Sequence, residues 1–498
     1  MFDRLRKIFT KPAAPPEPEP IKTWSARRWE AARTNRLNSA HWGGVTESSI
    51  NADLLMDLKT LRQRCEFETA RNPYLAGVRD THVTDLVGAT GPILQLEKVG
   101  GSPSGAEKKW LDAAEDVWSR WWEMPDINEV LSGPDLLAMS FGQLWDNGEW
   151  LWQKTTDKGA KGIKLRLNAI APRRLEQPAI GGTASMTTVM GIERNANGKP
   201  LAYWIQKSVD ELSLMPSLDY ERVPAADIVH FYRIDEPGQL RGVPFAATAL
   251  HVIADLRDAD DDIQAAIRQA ANFAVYLWTQ EADNIQIFNE STEIERGMQS
   301  TLPPGYQATM VKPEQPSTPY LDYRRERLAE IGRPIGMPGM MVWLDSREHN
   351  YSSARFDGQL YQRGNKRLQG GSERRALNPL VEDVLYEADL AEMIQGKRPE
   401  RIRMVWTWPV PPHVDPQKEA TAEDLAMRNG ALTFQSACAA RGFDYENVIE
   451  QLGSEAQKFA AKGLKSPYAR AIEEVVPPEP EADGDTIAEL IEEALADA

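Results

Sequence analysis

Cysteine is nearly absent from this chain: Cys65 and Cys438 lie far apart in sequence, with no CxxC spacing to hold zinc or run thiol exchange. A reducing compartment suits that usage. Histidine is almost as scarce, and His41, His82, His230, His251, His349 and His413 are dispersed without metal-ligand spacing, so no metal centre and no cofactor is expected. No apolar run approaches the ~20 residues that cross a bilayer. The start, Met1-Phe2-Asp3-Arg4-Leu5-Arg6-Lys7-Ile8-Phe9, has no apolar core behind its basic residues, so neither a signal peptide nor a transmembrane segment is expected. A phosphate cradle is missing too: neither GxxxxGK[ST] nor GxGxxG occurs, and the nearest run, Gly100 to Gly105, is followed by Ala106 where a lysine should stand. GxSxG and HExxH are also absent, so the sequence nominates no catalytic residue and does not read as an enzyme. Positive charge is in deficit, 57 Lys and Arg against 74 Asp and Glu, which disfavours a phosphate-neutralising grip over the whole surface.

What is present is length, and 498 residues with an ordinary apolar fraction predict two to four packed units of an α+β protein. Pro12 to Pro20 is a proline-rich spacer in a flexible arm over 1–23. Residues 25–88 read as helix broken at Asn72-Pro73, and residues 106–141 as two helices broken at Pro125 and Gly133-Pro134. In the first of these, Trp110, Leu111, Ala114, Val117, Trp118, Trp121 and Trp122 recur at spacings of three and four, one apolar face for a core. Asp146-Asn147-Gly148-Glu149 carries the Asn-Gly pair of a type I′ hairpin. Residues 164–170, 188–194, 201–207 and 227–234 then read as one largely antiparallel sheet, with a turn at Asn195-Ala196-Asn197-Gly198.

From Phe245 to Asn272 no glycine or proline interrupts, which predicts one long helix. Val252, Leu256, Ala259, Ile263, Ala266 and Ala270 form a seam suited to a neighbouring helix. Asp255, Asp258, Asp260, Asp261 and Asp262 fail the EF-hand pattern, because Ile263 stands where glycine is required and Gln269 where the closing Glu is, so a solvated acidic face is expected. Residues 273–320 are broken by prolines, 321–331 are helical, and 333–349 form a loop rich in Gly and Pro. Helix is expected from Phe356 to Met393 with interruptions at Gly370-Gly371 and Pro379, then a strand at 401–408 and helices over 416–462. The acidic, proline-rich segment 473–485 reads as disordered, and Thr486 to Ala496 as a short amphipathic helix with Ile487, Leu490, Ile491 and Leu495 on one face.

Several short motifs, in order along the chain, resemble one family. Arg71-Asn72-Pro73-Tyr74-Leu75-Ala76-Gly77 precedes Val87-Gly88 and Gly91-Pro92-Ile93; Met190-Gly191-Ile192-Glu193 precedes Gly198-Lys199-Pro200-Leu201-Ala202-Tyr203-Trp204. Val223 to Phe231 leads to Arg241-Gly242-Val243-Pro244, and Asn350-Tyr351-Ser352-Ser353-Ala354-Arg355 follows the loop. Trp406-Thr407-Trp408-Pro409, Asp415-Pro416-Gln417-Lys418-Glu419, Gly430-Ala431-Leu432-Thr433 and Arg441-Gly442-Phe443-Asp444 close the series. Together they resemble the lambda-type portal proteins of long-tailed phages.

That resemblance implies a portal fold and a dodecameric homo-oligomeric ring at one capsid vertex, found in the virion and assembled in the host cytoplasm. Double-stranded DNA would pass through it without sequence specificity. Its partners would be further copies of itself, the terminase large subunit, a head-completion or adaptor protein, and the major capsid protein with its scaffold. The regions would be a wing over 24–244, a stem helix over 245–272, a clip over 273–320 and a second stem helix over 321–332. A tunnel-type loop over 333–349, a wing helix and strand over 350–409, an α-helical crown over 410–472 and an acidic tail over 473–498 complete the division. The implied functional residues are Met337, Met340, Met341, Trp343, Arg347 and His349 in the channel loop and Asn350, Tyr351, Ser352, Ser353 and Arg355 in the hexapeptide. Val252, Leu256 and Ile263 would line the inter-subunit stem seam, and Glu281 and Asp283 the clip's docking surface. Two other classes compete, a capsid or neck adaptor that does not thread DNA and a packaging-associated DNA enzyme. The adaptor would not be expected to combine the hexapeptide with the stem-clip-stem order, and the enzyme would need the nucleotide loop or carboxylate set that is missing.

Overall fold

The computed structural model describes residues 47–178, 188–207, 219–271, 275–279, 306–310, 318–347, 350–409, 416–441, 443 and 445–464. Two units divide the chain, Met1–Ala52 and Asp53–Ala498; of the first only residues 47–52 are described, and the rest of the account concerns the second.

Helix α1 (Ile50–Arg71) stops because Pro73 forces Asn72 out of the helical region, and Asn72 then caps α2 (Pro73–Val87) by accepting from the amides of Tyr74 and Leu75 at 2.9 and 3.1 Å. Helix α3 (Gly105–Glu123) opens with a capping box between Ser104 and Glu107, and all seven residues of its expected apolar face are buried. Trp118 stacks on Trp122 at 5.1 Å, and the same core takes Trp145, Trp150 and Trp152. This tryptophan-rich centre holds the unit together.

Helix α4 (Gly133–Asp146) runs up to the Asn-Gly pair, so no hairpin forms there. The amides of Asn147 and Gly148 both donate to the Gln143 carbonyl, at 2.7 and 3.1 Å, and Gly148 takes φ +78°, a helix C-cap rather than a type I′ turn. Strand β2 (Glu149–Thr156) leaves directly from that cap. The two-residue reversal with both φ positive falls instead at Met190-Gly191, φ 49° and 82°.

The expected single sheet is two sheets. β2 is the centre of a three-stranded one, between β3 (Leu165–Ile170) and β8 (Ile228–Tyr232). β4 (Thr188–Val189), β5 (Ile192–Arg194), β6 (Pro200–Gln206) and β7 (Tyr220–Pro224) form a separate antiparallel meander. A further pair joins β1 (Ile93–Lys98) to the distant β11 (Ile402–Thr407), with Ile93 opposite Thr407. Such a long-range pairing leaves no local signal in the sequence.

The long helix is shorter than its uninterrupted sequence implies, because Phe245–Ala249 is a 3₁₀ turn and α5 spans Leu250–Ala271. Beyond it β9 (Val275–Thr279) pairs antiparallel with β10 (Tyr306–Met310). Helix α6 (Thr318–Gly332) returns alongside α5, and the short α7 (Gly339–Trp343) follows. The expected break at Gly370-Gly371 does not occur. α8 (Tyr351–Ser372) passes into a π-helical turn, Glu373–Leu377, and on into α9 (Asn378–Leu390). The wide turn stands just before Pro379, whose ring and missing N–H a tight helix interior would not tolerate. Helices α10 (Pro416–Arg428), α11 (Phe434–Ala440) and α12 (Tyr445–Ala461) complete the described chain.

Candidate functional site

The helical hairpin α5–α6 carries the first set of expected residues. Val252 and Leu256 are only 3 % and 6 % exposed, packed in the same core as Leu328 and Ile331 of α6. They are therefore packed against the chain's own α6, whereas Ile263 is half-buried and Ile267 is exposed. The acidic residues divide in two. Asp255 accepts from Arg327 at 2.9 Å, and Asp260 accepts from the Tyr320 hydroxyl and from Arg324, while Asp258, Asp261 and Asp262 face solvent. Among the described residues no group of three or more His, Cys, Asp or Glu converges as a metal site.

The segment after α6 is ordered by its own apolar residues. Met337 is 3 % exposed in the core, Val342 is buried beside it, and Met341 and Trp343 pack against that core. Part of the apolar character of this stretch is therefore packing, that of Met337 above all. Asp345 accepts from Arg347 at 2.6 Å and from Arg325 at 2.8 Å, and these bonds, Arg347's above all, hold its carboxyl well below the usual range; the Arg325 guanidinium lies 5.2 Å from the Trp343 ring. What the segment presents outward is Leu344, 83 % exposed and in a left-handed conformation at φ 53°. Met340 is half-buried, the Arg347 side chain is exposed, and His349 lies outside the described residues.

The hexapeptide has a plain physical meaning, since it starts α8. The Asn350 side chain accepts from the Ser353 amide at 2.9 Å, and the Ser353 hydroxyl accepts from the Asn350 amide at 3.3 Å, a reciprocal cap. Ser352 and Arg355 are exposed on the first turn, and Tyr351 is its first residue. Glu281 and Asp283 lie outside the described residues.

Several of the motifs converge on a residue that none of them nominates, Glu149. Its carboxylate is fully buried and accepts from Arg241 Nη2 at 2.6 Å, Arg62 Nη2 at 2.7 Å and the Gly242 amide at 3.0 Å, with His230 Nε2 at 3.2 Å. Arg241 also donates to the carbonyls of Met190 at 2.7 Å and Leu175 at 2.9 Å. Burial alone would raise the Glu149 carboxyl, but the Arg241 and Arg62 guanidiniums hold it well below its ordinary value. Burial, against the pull of Glu149, lowers Arg62 to about 10 and pushes His230 down as well. A Cβ on Gly242 would stand 1.8 Å from the Gly148 carbonyl oxygen, so the two backbones cross where only glycine fits. The cluster ties α1, β2, β8 and the β4–β5 turn to the segment entering α5, a rigid root for the hairpin. Sequence reading missed it because Arg62, Glu149 and Arg241 are scattered along the chain. The traces it leaves are the Asn147-Gly148-Glu149 run and Arg241-Gly242.

The model of the phage portal protein, lambda family, matches residues 35–369. The probable portal protein of Halomonas phage phiHAP-1 is 22 % identical over 502 residues, 93 % of this chain and 92 % of that protein. Among solved structures, a chain from the neck of an empty gene transfer agent (GTA) particle is 15 % identical, covering 80 % of this chain and 99 % of that one, at a TM-score of 0.44. An HK97 family phage portal protein from Corynebacterium diphtheriae is 12 % identical, covering 70 % and 94 %, at a TM-score of 0.32. The matched residues run from before α1 through the Glu149 cluster, the α5–α6 hairpin and the hexapeptide into α8, more than half of the sequence, and the chain belongs to the lambda family of phage portal proteins.

Proposed function

We propose that twelve copies of this chain close into a ring at one vertex of a capsid and that double-stranded DNA enters and leaves through the central channel. The observation that carries this reading is the family match, because it covers the hairpin, the ordered segment after it and the start of α8 as one continuous stretch. A closed ring needs one surface of each copy to meet a different surface of the next. The outer half of α5, with Ile263 half-buried and Ile267 exposed, is an apolar strip available for such a contact. Leu344 and Arg347, carried outward on a segment anchored by Met337, are the loop residues suited to meet passing DNA. The rigid root at Glu149 supports the reading mechanically, since load applied to the hairpin is passed into the sheets and not into a flexible joint.

In the same reading, residues 273–320 with Glu281 and Asp283 dock the terminase and later the head-completion protein. Electron microscopy of the purified full chain tests the proposal. Twelve-fold rings with a central hole are expected; compact particles without a hole, at concentrations where the chain is associated, overturn it.

A further inference from the structure

Acidic residues outnumber basic ones in this chain, 74 to 57, yet four arginines surround one groove of about 320 Å³ between α8, its π-helical turn, the end of β8 and the turn at Arg333–Ile335. Arg233, Arg367, Arg374 and Arg375 line it, and no carboxylate does. Its floor is apolar, made by Phe231, Phe245 and Leu368. Arg375 is held without an acid, donating to the Tyr232 carbonyl at 2.6 Å and lying 4.3 Å from the Phe231 ring. Arg233 reaches Asp235 at 2.9 Å, whereas the exposed Arg367 and Arg374 have no ion-pair partner among the described residues. The neighbouring carboxylate, Glu373, accepts from Trp408 Nε1 at 2.6 Å. Guanidiniums gathered over an apolar floor repel one another, and an anion that also carries apolar side chains satisfies both halves of the groove.

The chain contains such a segment. Residues 471–498 hold no Lys or Arg, are dense in Asp and Glu, and include Ile487, Leu490, Ile491 and Leu495. Trp408, just past β11, donates to Glu373 in the π-helical turn that also carries Arg374 and Arg375 of the groove, and α11 packs against β11. From Leu464 the remaining residues, at up to ~3.3 Å each, reach well beyond a domain's diameter. We propose that the acidic C-terminal segment, residues 471–498, docks in the arginine groove of its own chain, its carboxylates on Arg367 and Arg374 and its apolar residues over Phe231, Phe245 and Leu368. Nothing in this docking requires the ring.

The test uses the full chain with Ala498→Cys labelled by a fluorophore, which is selective because Cys65 and Cys438 are buried. Docking restricts the label, so its anisotropy is expected to fall about twofold when salt rises from about 0.05 to 0.5 M. The same fall is expected in R367E/R374E at low salt, and adding E489K/E492K/E493K to that variant should restore the wild-type value. Arg367 and Arg374 are exposed and have no ion-pair partner among the described residues, so the variant is expected to keep its melting temperature. Anisotropy untouched by R367E/R374E overturns the proposal. Restriction that vanishes on dilution to monomers assigns the tail to a neighbouring copy and overturns the own-chain docking. A free label, together with binding of a DNA duplex of about 20 base pairs that R367E/R374E abolishes, makes the groove a nucleic-acid contact and overturns it as well.

Discussion

The Glu149 cluster and the α5–α6 hairpin both bring arginines to carboxylates, in opposite environments. At Glu149 two guanidiniums, a histidine and a backbone amide meet one fully buried carboxylate, so the charge has no water to fall back on. On the hairpin, Arg327 and Asp255 pair at the same kind of distance, 2.9 Å, but the Asp255 side chain is 59 % exposed and solvent competes for both partners. Distance alone therefore ranks nothing. The cluster fixes backbone positions because breaking it strands a buried charge, while the hairpin pairs adjust at little cost, as suits a surface exposed for other contacts.

The sharpest way to break that contrast is Glu149→Gln, which leaves Arg241 buried without its counter-charge. A loss of about 3–5 kcal/mol in denaturant unfolding is expected; a loss below about 1 kcal/mol would put the cluster in the hairpin's class. Because the Glu149 carboxyl titrates well below an unfolded glutamate, its contribution is complete above about pH 4.3 and is lost only as pH falls through the lower, folded value.

Next in size is Met337→Ala. A buried methionine replaced by alanine costs about 2–5 kcal/mol, so melting should drop well before any effect on DNA handling is seen. An unchanged melting temperature would favour a place for Met337 on the proposed channel surface.

His82, buried in the core, supplies a pH-dependent contrast. Burial lowers it to about 4 against an opposing pull from Asn365, and its Nδ1 accepts from Trp145 at 2.9 Å. The unfolded chain takes up the proton first, so acidification destabilises the fold, by roughly 2 kcal/mol between about pH 7 and pH 5. His82→Gln should flatten that slope relative to the wild type in parallel unfolding curves, and an identical slope would acquit His82.

The smallest effect is expected on the hairpin, where Asp255→Asn should cost about 0–1 kcal/mol and still less at high salt. A cost matching that of Glu149→Gln would erase the distinction between the two regions.

Much of the fold was legible because it rests on local rules. The apolar spacing of α3, the Asn72 cap before Pro73 and the turn at Asn195 to Gly198 are decided within a few residues of chain, and each is found where the sequence places it. The readings that failed had a tertiary competitor. Asn147-Gly148 suits a hairpin or a helix C-cap equally, and the packing of α4 with β2 selected the cap. The 28 residues from Phe245 to Asn272 lack any breaker, yet Phe245, Ala246 and Ala249 are buried in the core and their turn is 3₁₀. Met337 and its neighbours are apolar enough for a lumen or for a core, and Met337 packs in the core, because composition reports burial and not what does the burying.

By itself the sequence determined the class, the order of elements and the family, since a capping hexapeptide, a breaker-free helix and Arg241-Gly242 survive as short linear patterns. The tertiary structure alone decided that Arg62, Glu149, His230 and Arg241 form one buried site, that β1 pairs with β11, and that four arginines close around one groove. Each joins residues far apart along the chain. A charge enters such a site only when folding has removed the water around it, a condition that no local pattern of residues records.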